Sequence, residues 1–322
     1  MGQTLGEPVT TKKSACCRNS SYRVGSSCMQ GWRIKMEDSH VHILSLPDDP
    51  GTAFFAVYDG HGGVAMAQYA GMHLHEYIIK RPEYKQGNIA EAIRQGFLDL
   101  DKAVRYDPSM KDEQSGTTVI ALLIKDNILY SANAGDSRAV ASVLGRTVML
   151  SEDHKPTLAR ERERIEAAGG WVEFNRVNGH LALSRALGDF VFKMNANKPA
   201  EEQIVTAYPD VRQFDITEDW EFALLACDGI WDVMNNEDVV QFVRDRLAGS
   251  LEASPLVDPE EICEELMTRC LAPDALMGTG CDNMTVVLVC FLHGKSYVEL
   301  LKRCRQPAPD LPLPDSPETS RG

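Results

Sequence analysis

Acidic residues flank the apolar, strand-like segments of this sequence at several separate places. Asp59 and Asp228 each follow directly on an apolar run, and Asp282 shortly precedes another. Buried carboxylates are costly unless they are paired, hydrogen-bonded or bound to metal, and strand ends are where a scaffold presents site residues on loops. A set of oxygen ligands without a histidine or cysteine cluster favours Mg²⁺ or Mn²⁺ over zinc or copper.

Other acids extend this pattern. Asp136 lies in a Gly-Asp turn between two strand-like runs, and Glu37 and Asp38 are adjacent after Trp32 and Arg33. Each acid taken alone is equally typical of a turn or a cap, since Asp-Gly is a common turn dipeptide. The repetition of an apolar strand followed by Asp-Gly favours a shared site, but spacing alone does not show that the acids converge.

The segments between these acids have the periodicity of regular elements. Apolar or β-rich runs predict strands, with a hairpin turn at residues 125–127, and amphipathic periodicity predicts helices between groups of strands. This order is typical of an α+β fold with largely antiparallel sheet. The strand runs are 53–58, 117–124, 128–132, 139–143, 221–227 and 285–292, and the helices are 64–80, 89–104, 157–168, 237–247 and 259–271. The charges of Arg160–Glu166 alternate in sign, which predicts a solvated helix face.

The composition excludes several classes of protein. The chain has 322 residues and a net charge of −14, which argues against nucleic acid as the main partner. No stretch approaches the roughly 20 apolar residues of a membrane span. The nine cysteines include no Cys-x-x-Cys pair, so a zinc finger is not expected. Unpaired, scattered cysteines fit a reducing, intracellular compartment.

The chain divides into three parts. Residues 1–20 are polar and lack apolar periodicity, which predicts a flexible tail. Residues 21–295 have the patterning of a globular domain, and 296–322 are predicted to form a C-terminal helix and a disordered tail containing five prolines.

Seven short motifs follow one another along the chain. They are Gln30-Gly-Trp-Arg-Ile-Lys-Met-Glu-Asp38, Val57-Tyr-Asp-Gly-His-Gly-Gly63, Ser115-Gly-Thr-Thr118, Ala132-Asn-Ala-Gly-Asp-Ser-Arg138, Leu183-Ser-Arg-Ala-Leu-Gly-Asp189, Ala226-Cys-Asp-Gly-Ile-Trp-Asp232 and Asp282-Asn-Met-Thr285. In this order they closely resemble the motifs of the metal-dependent type 2C Ser/Thr protein phosphatases. The resemblance covers roughly residues 21–292, and the seven motifs together are highly specific.

The resemblance implies a fold and a metal site. The fold is a β-sandwich of two antiparallel sheets, flanked by α-helices on both outer faces. Two Mg²⁺ or Mn²⁺ ions bridged by water lie at one end, and a weaker third ion is expected at Asp136 and Asp232 with Asp228. The implied ligands of the first two ions are Asp59, which bridges them, the Gly60 carbonyl, Asp228, Asp282, and Glu37 and Asp38, the last two largely through water.

The resemblance also implies how a phosphoester is hydrolysed. Arg33 binds the substrate phosphate, because the planar guanidinium group can donate two parallel hydrogen bonds to phosphate oxygens. His61 protonates the departing serine or threonine oxygen, because histidine titrates near neutrality. The bridging water attacks phosphorus directly, so the side chains need not supply a nucleophile. Residues 193–200 are expected either in a variable flap beside the site, where substrate choice is set, or in a plain surface loop.

Three other interpretations compete with this one. Residues 60–65 fit the dinucleotide pattern GxGxxG/A, but Asp59 would face the pyrophosphate and no second strand follows at the right place. The cysteine-phosphatase core Cys-x5-Arg occurs twice by chance: Cys17 lies in the predicted tail, and Cys263 lies next to acids that disfavour a thiolate. A catalytically silent binding protein of the same fold stays the alternative, although Asp59, Asp228 and Asp282 are all present.

The N-terminus leaves two hypotheses open. Gly2 begins a partial myristoylation motif in which Gly6 replaces the expected serine or threonine. One acyl chain binds membranes only marginally, but nearby basic residues and a second acyl group on Cys16 or Cys17 would strengthen it. The segment is thus a reversible membrane anchor or a solvated basic tail. We expect a monomer that acts on phosphoproteins in the cytoplasm, partly at membranes, with a nuclear location also open.

Overall fold

The computed structural model describes residues 4–110 and 113–308. Sixteen strands lie within these ranges. In chain order they are β1 (Thr4–Arg18), β2 (Tyr22–Arg33), β3 (Ser39–Ile43), β4 (Thr52–Tyr58), β5 (Gly60–His61), β6 (Gly116–Thr117), β7 (Val119–Lys125), β8 (Ile128–Ala134), β9 (Arg138–Val143), β10 (Arg146–Met149), β11 (Val172–Glu173), β12 (Arg176–Val177), β13 (Leu187–Gly188), β14 (Asp210–Asp215), β15 (Trp220–Ala226) and β16 (Met284–Phe291).

Eight α-helices connect or cover the strands within the same ranges. They are α1 (Ala65–Ile79), α2 (Pro82–Lys85), α3 (Ile89–Tyr106), α4 (Ala159–Ala167), α5 (Asp228–Trp231), α6 (Asn236–Gly249), α7 (Pro259–Cys270) and α8 (Tyr297–Cys304). In the described part of the chain, none of them has both the length and the apolarity that crossing a membrane requires.

Two antiparallel sheets pack face to face. The first has the strand order β1-β2-β16-β15-β9-β10 and the second has the order β14-β8-β7-β4-β3. Their inner faces share one apolar core that contains Phe55 and Leu122 from the second sheet and Leu225 and Val287 from the first. This arrangement is a β-sandwich, as the sequence analysis predicts.

Helices cover both outer faces of the sandwich. Leu266 of α7 and Leu300 of α8 are fully buried against the first sheet, in a core shared with α6. Leu74 of α1 and Phe97 of α3 are fully buried against the second sheet. The prediction of an α+β sandwich with helices on both faces is therefore confirmed.

Local sequence explains where several of these elements turn or begin. The β7–β8 hairpin turns at Asp126 and Asn127, whose φ angles of 52° and 60° suit a tight two-residue turn that matches strand twist. Helix α7 begins with a capping box, in which Asp258 and Glu261 satisfy each other's backbone N–H groups.

The prediction of a flexible tail over residues 1–20 is wrong for residues 4–18. These residues form β1, which pairs with β2 from Arg18 opposite Arg23 to Thr4 opposite Arg33. An edge strand hydrogen-bonds on one side only, and most side chains of β1 are exposed, so the apolar alternation that signals a half-buried strand is missing. In the segment 296–322, residues 297–304 form α8, whereas the proline-rich part from residue 309 lies outside the described residues.

The prediction of a solvated face on the charged helix is also wrong in one respect. Glu161 of α4 is fully buried and accepts hydrogen bonds from Arg164 (2.6 Å), from the Ser184 hydroxyl (2.7 Å) and from Arg185 (2.7 Å). Arg185 also donates to Asp210 at 2.8 Å. We call these five residues the Glu161 network. Arg164 belongs to α4, but Arg185 comes from a separate segment of the chain. The periodicity of the helix alone therefore does not predict that Glu161 is buried.

We expect Gly25→Ala to destabilise the protein by about 3 kcal/mol, because overpacking forces the backbone to move. A Cβ on Gly25 would lie 2.1 Å from the Glu260 nitrogen at the start of α7. Gly51→Ala is the matched control, since its Cβ would meet nothing closer than 3.9 Å. Urea unfolding of both variants measures the difference, and equal midpoints would contradict the close packing of α7 on β2.

Candidate active site

The register of the two sheets brings the predicted acids to one end of the sandwich. Strands β4 and β15 end at this end, β16 begins there, and the β8–β9 turn lies there as well. Asp59, Asp228, Asp282 and Asp136 are attached at these strand ends. Burial raises the pKa of Asp59 well above its usual range, and the negative charges of Asp228, Asp38, Asp282 and Asp136 raise it further. The acids thus face one another at short range.

The loop after β2 holds Asp38 beneath this group. The Asn283 side chain accepts a hydrogen bond from the Glu37 N–H at 2.9 Å and donates to the Gln30 and Lys35 carbonyls. Asp38 Oδ2 accepts a hydrogen bond from the Thr285 hydroxyl at 2.7 Å. Its Oδ1 atom is buried and has no hydrogen-bond partner among the described residues. Burial, with a smaller contribution from Asp282, raises the pKa of Asp38 to about 7.

Gly60 lies against the same loop. A Cβ at this position would be 2.3 Å from the Glu37 carbonyl oxygen, so the backbone of Gly60 approaches the loop in a way that only glycine permits. The Gly60 and Glu37 backbones are therefore adjacent.

Helix α5 carries two of the acids. Asp228 is its first residue and Asp232 follows one turn later, where its N–H donates to the Asp228 carbonyl at 2.8 Å. The Trp231 indole anchors this turn by donating to the Ala226 carbonyl at 2.8 Å. Burial raises the pKa of Asp228 well above its usual range, and the negative charges of Asp136, Asp282 and Asp232 raise it further.

Two cations border the acids. Arg33 donates to Asp282 and Lys155 donates to Asp136, both in close ion pairs. Burial alone would lower the pKa of Lys155, but the Asp136 carboxylate outweighs burial and the net shift is upward. Sequence analysis did not identify Lys155, because a lone lysine after a strand carries no motif of its own.

The donor set at the centre suits a hard cation. Ligand atoms of Asp38, Asp59 and Cys227 lie within 4.8 Å of one another. Burial raises the pKa of the Cys227 thiol well above its usual range, so it keeps its proton, and it hydrogen-bonds to the Asn283 carbonyl and the Thr285 N–H. Carboxylate oxygens then remain as candidate ligands, including the unpartnered Asp38 Oδ1. These are the ligands that Mg²⁺ and Mn²⁺ prefer.

His61 lies beside the acids, two residues after Asp59. Its Nε2 atom is 2.7 Å from Asp189 Oδ2. Burial alone would lower the pKa of His61, but the hydrogen bond and charge of Asp189, followed by the charges of Asp136 and Glu37, outweigh burial and raise it. Asp189 ends the fifth of the seven sequence motifs, and the resemblance implies no role for it.

The structure argues against both rival enzyme sites, the cysteine nucleophile and the dinucleotide-binding loop. Burial raises the pKa of the Cys17 thiol to about 11 and that of Cys263 still higher, whereas a cysteine nucleophile needs a lowered pKa. All nine cysteines are free thiols, and six of them are buried. Strand β4 has antiparallel neighbours on both sides, so the glycines at 60–63 are not part of the parallel βαβ unit that binds dinucleotides.

Comparisons with known proteins identify the family of this chain. The family described as protein phosphatase 2C matches residues 22–276. A relative from Caenorhabditis elegans, named as a probable protein phosphatase 2C, is 62% identical over 96% of this chain and 85% of its own length. The protein phosphatase 2C homolog 2 of Schizosaccharomyces pombe is 48% identical over 92% and 80% of the two chains.

Solved structures agree in fold. A phosphatase from Toxoplasma gondii is 30% identical and superposes with a TM-score of 0.71, covering 87% of this chain and 96% of its own. By sequence family, relatives and fold, the chain belongs to the type 2C family of Ser/Thr protein phosphatases.

Proposed function

We propose that this protein phosphatase hydrolyses phosphoserine and phosphothreonine in proteins with the help of divalent metal ions. The observation that carries the proposal is the convergence of buried carboxylates at one end of the sandwich, with a buried, unpartnered oxygen on Asp38. Such crowding is unfavourable for the chain alone and favourable around cations.

The residues proposed to hold metal lie at this end of the sandwich or in the loop after β2. Two Mg²⁺ or Mn²⁺ ions, when bound, would activate water and neutralise charge on the phosphate. We assign Asp136 and Asp232 to a weaker third ion, since Lys155 already compensates Asp136. The ligands proposed for the first two ions are Asp59, the Gly60 carbonyl, Asp228, Asp282, Glu37 and Asp38.

The remaining roles belong to Arg33 and His61. Arg33 ends β2 at the border of the acids and its side chain is partly exposed, which supports a role in binding the substrate phosphate through two parallel hydrogen bonds. The role proposed for His61 is to give a proton to the serine or threonine oxygen as the phosphorus–oxygen bond breaks, because an alkoxide is a poor leaving group.

The test is phosphate release from a phosphothreonine peptide with and without Mn²⁺ and a chelator. We expect activity with the ion and loss of activity with chelator, restored by excess Mn²⁺. Activity that persists in chelator would overturn the metal mechanism. No activity with several peptides and with Mg²⁺ as well would favour a catalytically silent binding protein of this fold.

We further propose phosphoprotein partners, a monomeric state and a cytoplasmic location, with reversible membrane attachment through the N-terminus. Gly2 lies outside the described residues, so the proposal rests on its sequence motif and on the basic residues Lys12, Lys13 and Arg18. Gly2→Ala is expected to lower the membrane-pelleted fraction in cells. A pelleted fraction equal to that of the wild type would contradict the anchor.

A further inference from the structure

A small three-stranded sheet brings His61 and Asp189 together. Its order is β13-β6-β5, and Gly116 of β6 is paired with His61 on one side and Gly188 on the other. The side chains of His61 and Asp189 therefore meet across Gly116, with Nε2 and Oδ2 2.7 Å apart. A Cβ on Gly116 would lie 2.1 Å from Asp189 Oδ2 and 2.4 Å from His61 Nε2, so glycine is needed for this contact.

Asp189 is fixed in place from the other side. Its side chain is 7% exposed, and its backbone has the left-handed angles φ 49° and ψ 40°, which aspartate tolerates better than most residues. The preceding Gly188 N–H donates to the buried Asp101 at 2.8 Å. Asp101 is in turn held by Lys193, which also donates to the Ala186 carbonyl. These contacts support the backbone that carries Asp189.

We propose that Asp189 is a positioning residue for His61, and that it holds the Nε2–H so that Nδ1 faces the phosphoester. Among the hydrogen bonds of the described residues, none engages Nδ1. The inference rests on the proposed function, because it assigns a geometry to the proton donor of that reaction. The same arrangement of carboxylate, imidazole and reacting group fixes the tautomer in other enzymes.

The step that this geometry serves is the departure of the alcohol. A water oxygen bonds to phosphorus while the phosphorus–oxygen bond to serine or threonine breaks, with its electron pair going to that oxygen. The proton on Nδ1 passes to the same oxygen, and the imidazole keeps its other proton on Nε2, donated to Asp189. Without the carboxylate the ring can rotate or hold its proton on the wrong nitrogen.

Asp189→Asn tests this with two substrates. p-Nitrophenyl phosphate releases a weakly basic oxygen that needs no proton donor, whereas a phosphothreonine peptide releases an alkoxide that does. We expect kcat for the peptide to fall about 10- to 100-fold and kcat for p-nitrophenyl phosphate to stay within about twofold. Adding Asp189→Asn to His61→Ala should cause no further loss with the peptide, since both act on one step.

Asp126→Asn is the matched control, because Asp126 also has a left-handed backbone but lies exposed in the β7–β8 turn. Equal losses with both substrates, or an unchanged rate with the peptide, would overturn the inference and leave the proposed function intact. A wild type without metal-dependent hydrolysis of either substrate would overturn both.

A second measurement needs no variant at Asp189. Long-range ¹H–¹⁵N spectra report which ring nitrogen of a histidine carries the proton, and His61→Gln identifies the signal. We expect the neutral His61 ring of the wild-type protein to be protonated on Nε2. A ring protonated on Nδ1 would overturn the inference.

Discussion

Asp59→Asn is expected to lower kcat by about 10³-fold while making the metal-free protein more stable. The activity falls because the carboxylate at the centre of the predicted ligand set is lost, and metal ions supply several kcal/mol of transition-state stabilisation, each 1.4 kcal/mol being a factor of about ten.

The opposite effect on stability follows from charge crowding. Burial and the negative charges of Asp228, Asp38 and Asp282 raise the pKa of Asp59, so its ionised form is disfavoured in the folded, metal-free protein. Replacing one of several buried like charges with a neutral amide of the same shape removes repulsion and a desolvation cost. In chelator we expect a gain of about 1–2 kcal/mol, or roughly 2–4 °C in melting temperature.

Thermal unfolding with chelator and with Mn²⁺, alongside peptide hydrolysis, checks both halves of this prediction. Added Mn²⁺ should raise the melting temperature of the wild type more than that of Asp59→Asn, because a ligand stabilises the folded state that binds it. Asp126→Asn should behave like the wild type in both assays. An Asp59→Asn protein that keeps full activity, or that is less stable in chelator, contradicts the site.

Glu161→Ala is expected to lower the free energy of unfolding by about 3–5 kcal/mol, the usual effect of removing one partner of a buried ion pair. Without Glu161, the guanidinium of Arg185 loses its closest carboxylate, and that of Arg164 loses its ion pair. Arg185 also links α4 to Asp210 at the start of β14, so the loss weakens the attachment of the segment around α4 to the second sheet.

The pH dependence of this effect has a definite sign. Hydrogen bonds and charge from Arg185 and Arg164 outweigh burial and lower the pKa of Glu161 to about 2. A carboxyl whose folded-state pKa is lowered stabilises the protein above its unfolded-state pKa of about 4.3, and that contribution is lost as the pH falls toward 2. The difference between Glu161→Ala and the wild type should therefore narrow between about pH 4.5 and pH 2.

Urea unfolding at pH 7 and at pH 3 measures both the size and the sign of the effect. Glu163→Ala is the control, because Glu163 lies on the same helix and is exposed, and a surface change of this kind is expected to stay within about 0.5 kcal/mol. Equal losses for the two variants would show that the Glu161 network does not stabilise the fold.

Sequence patterns predict the helices and strands whose side chains are buried on one face or on both faces. Strand β4 and helix α3 have clear periodicity, and Asp59 and Asp228 could be chosen because each follows a buried strand. Residues of β1 gave no such signal, since an edge strand with exposed side chains depends on backbone pairing alone. Sequence periodicity therefore reports side-chain burial and misses structure held by the main chain.

Contacts between distant segments explain what else was missed at the site. Asp189 reaches His61 only because three two-residue strands align at Gly116, and strands that short have no period to detect. Lys155 pairs with Asp136 because the chain after β10 returns to the turn between β8 and β9. Glu161 was assigned to a solvated face because its partner Arg185 is 24 residues away.

The free thiols give the protein a built-in reporter of opening. Cys16 is exposed on β1, whereas Cys227, Cys263 and Cys290 are buried beneath helices or between the sheets. An alkylating reagent modifies an exposed thiol at once, but it reaches a buried thiol only when the surrounding layer opens. Mass spectrometry after timed alkylation would thus measure how fast each cysteine becomes accessible, at the edge of the first sheet and in the two apolar cores separately. The measurement uses the natural sequence and needs no added dye.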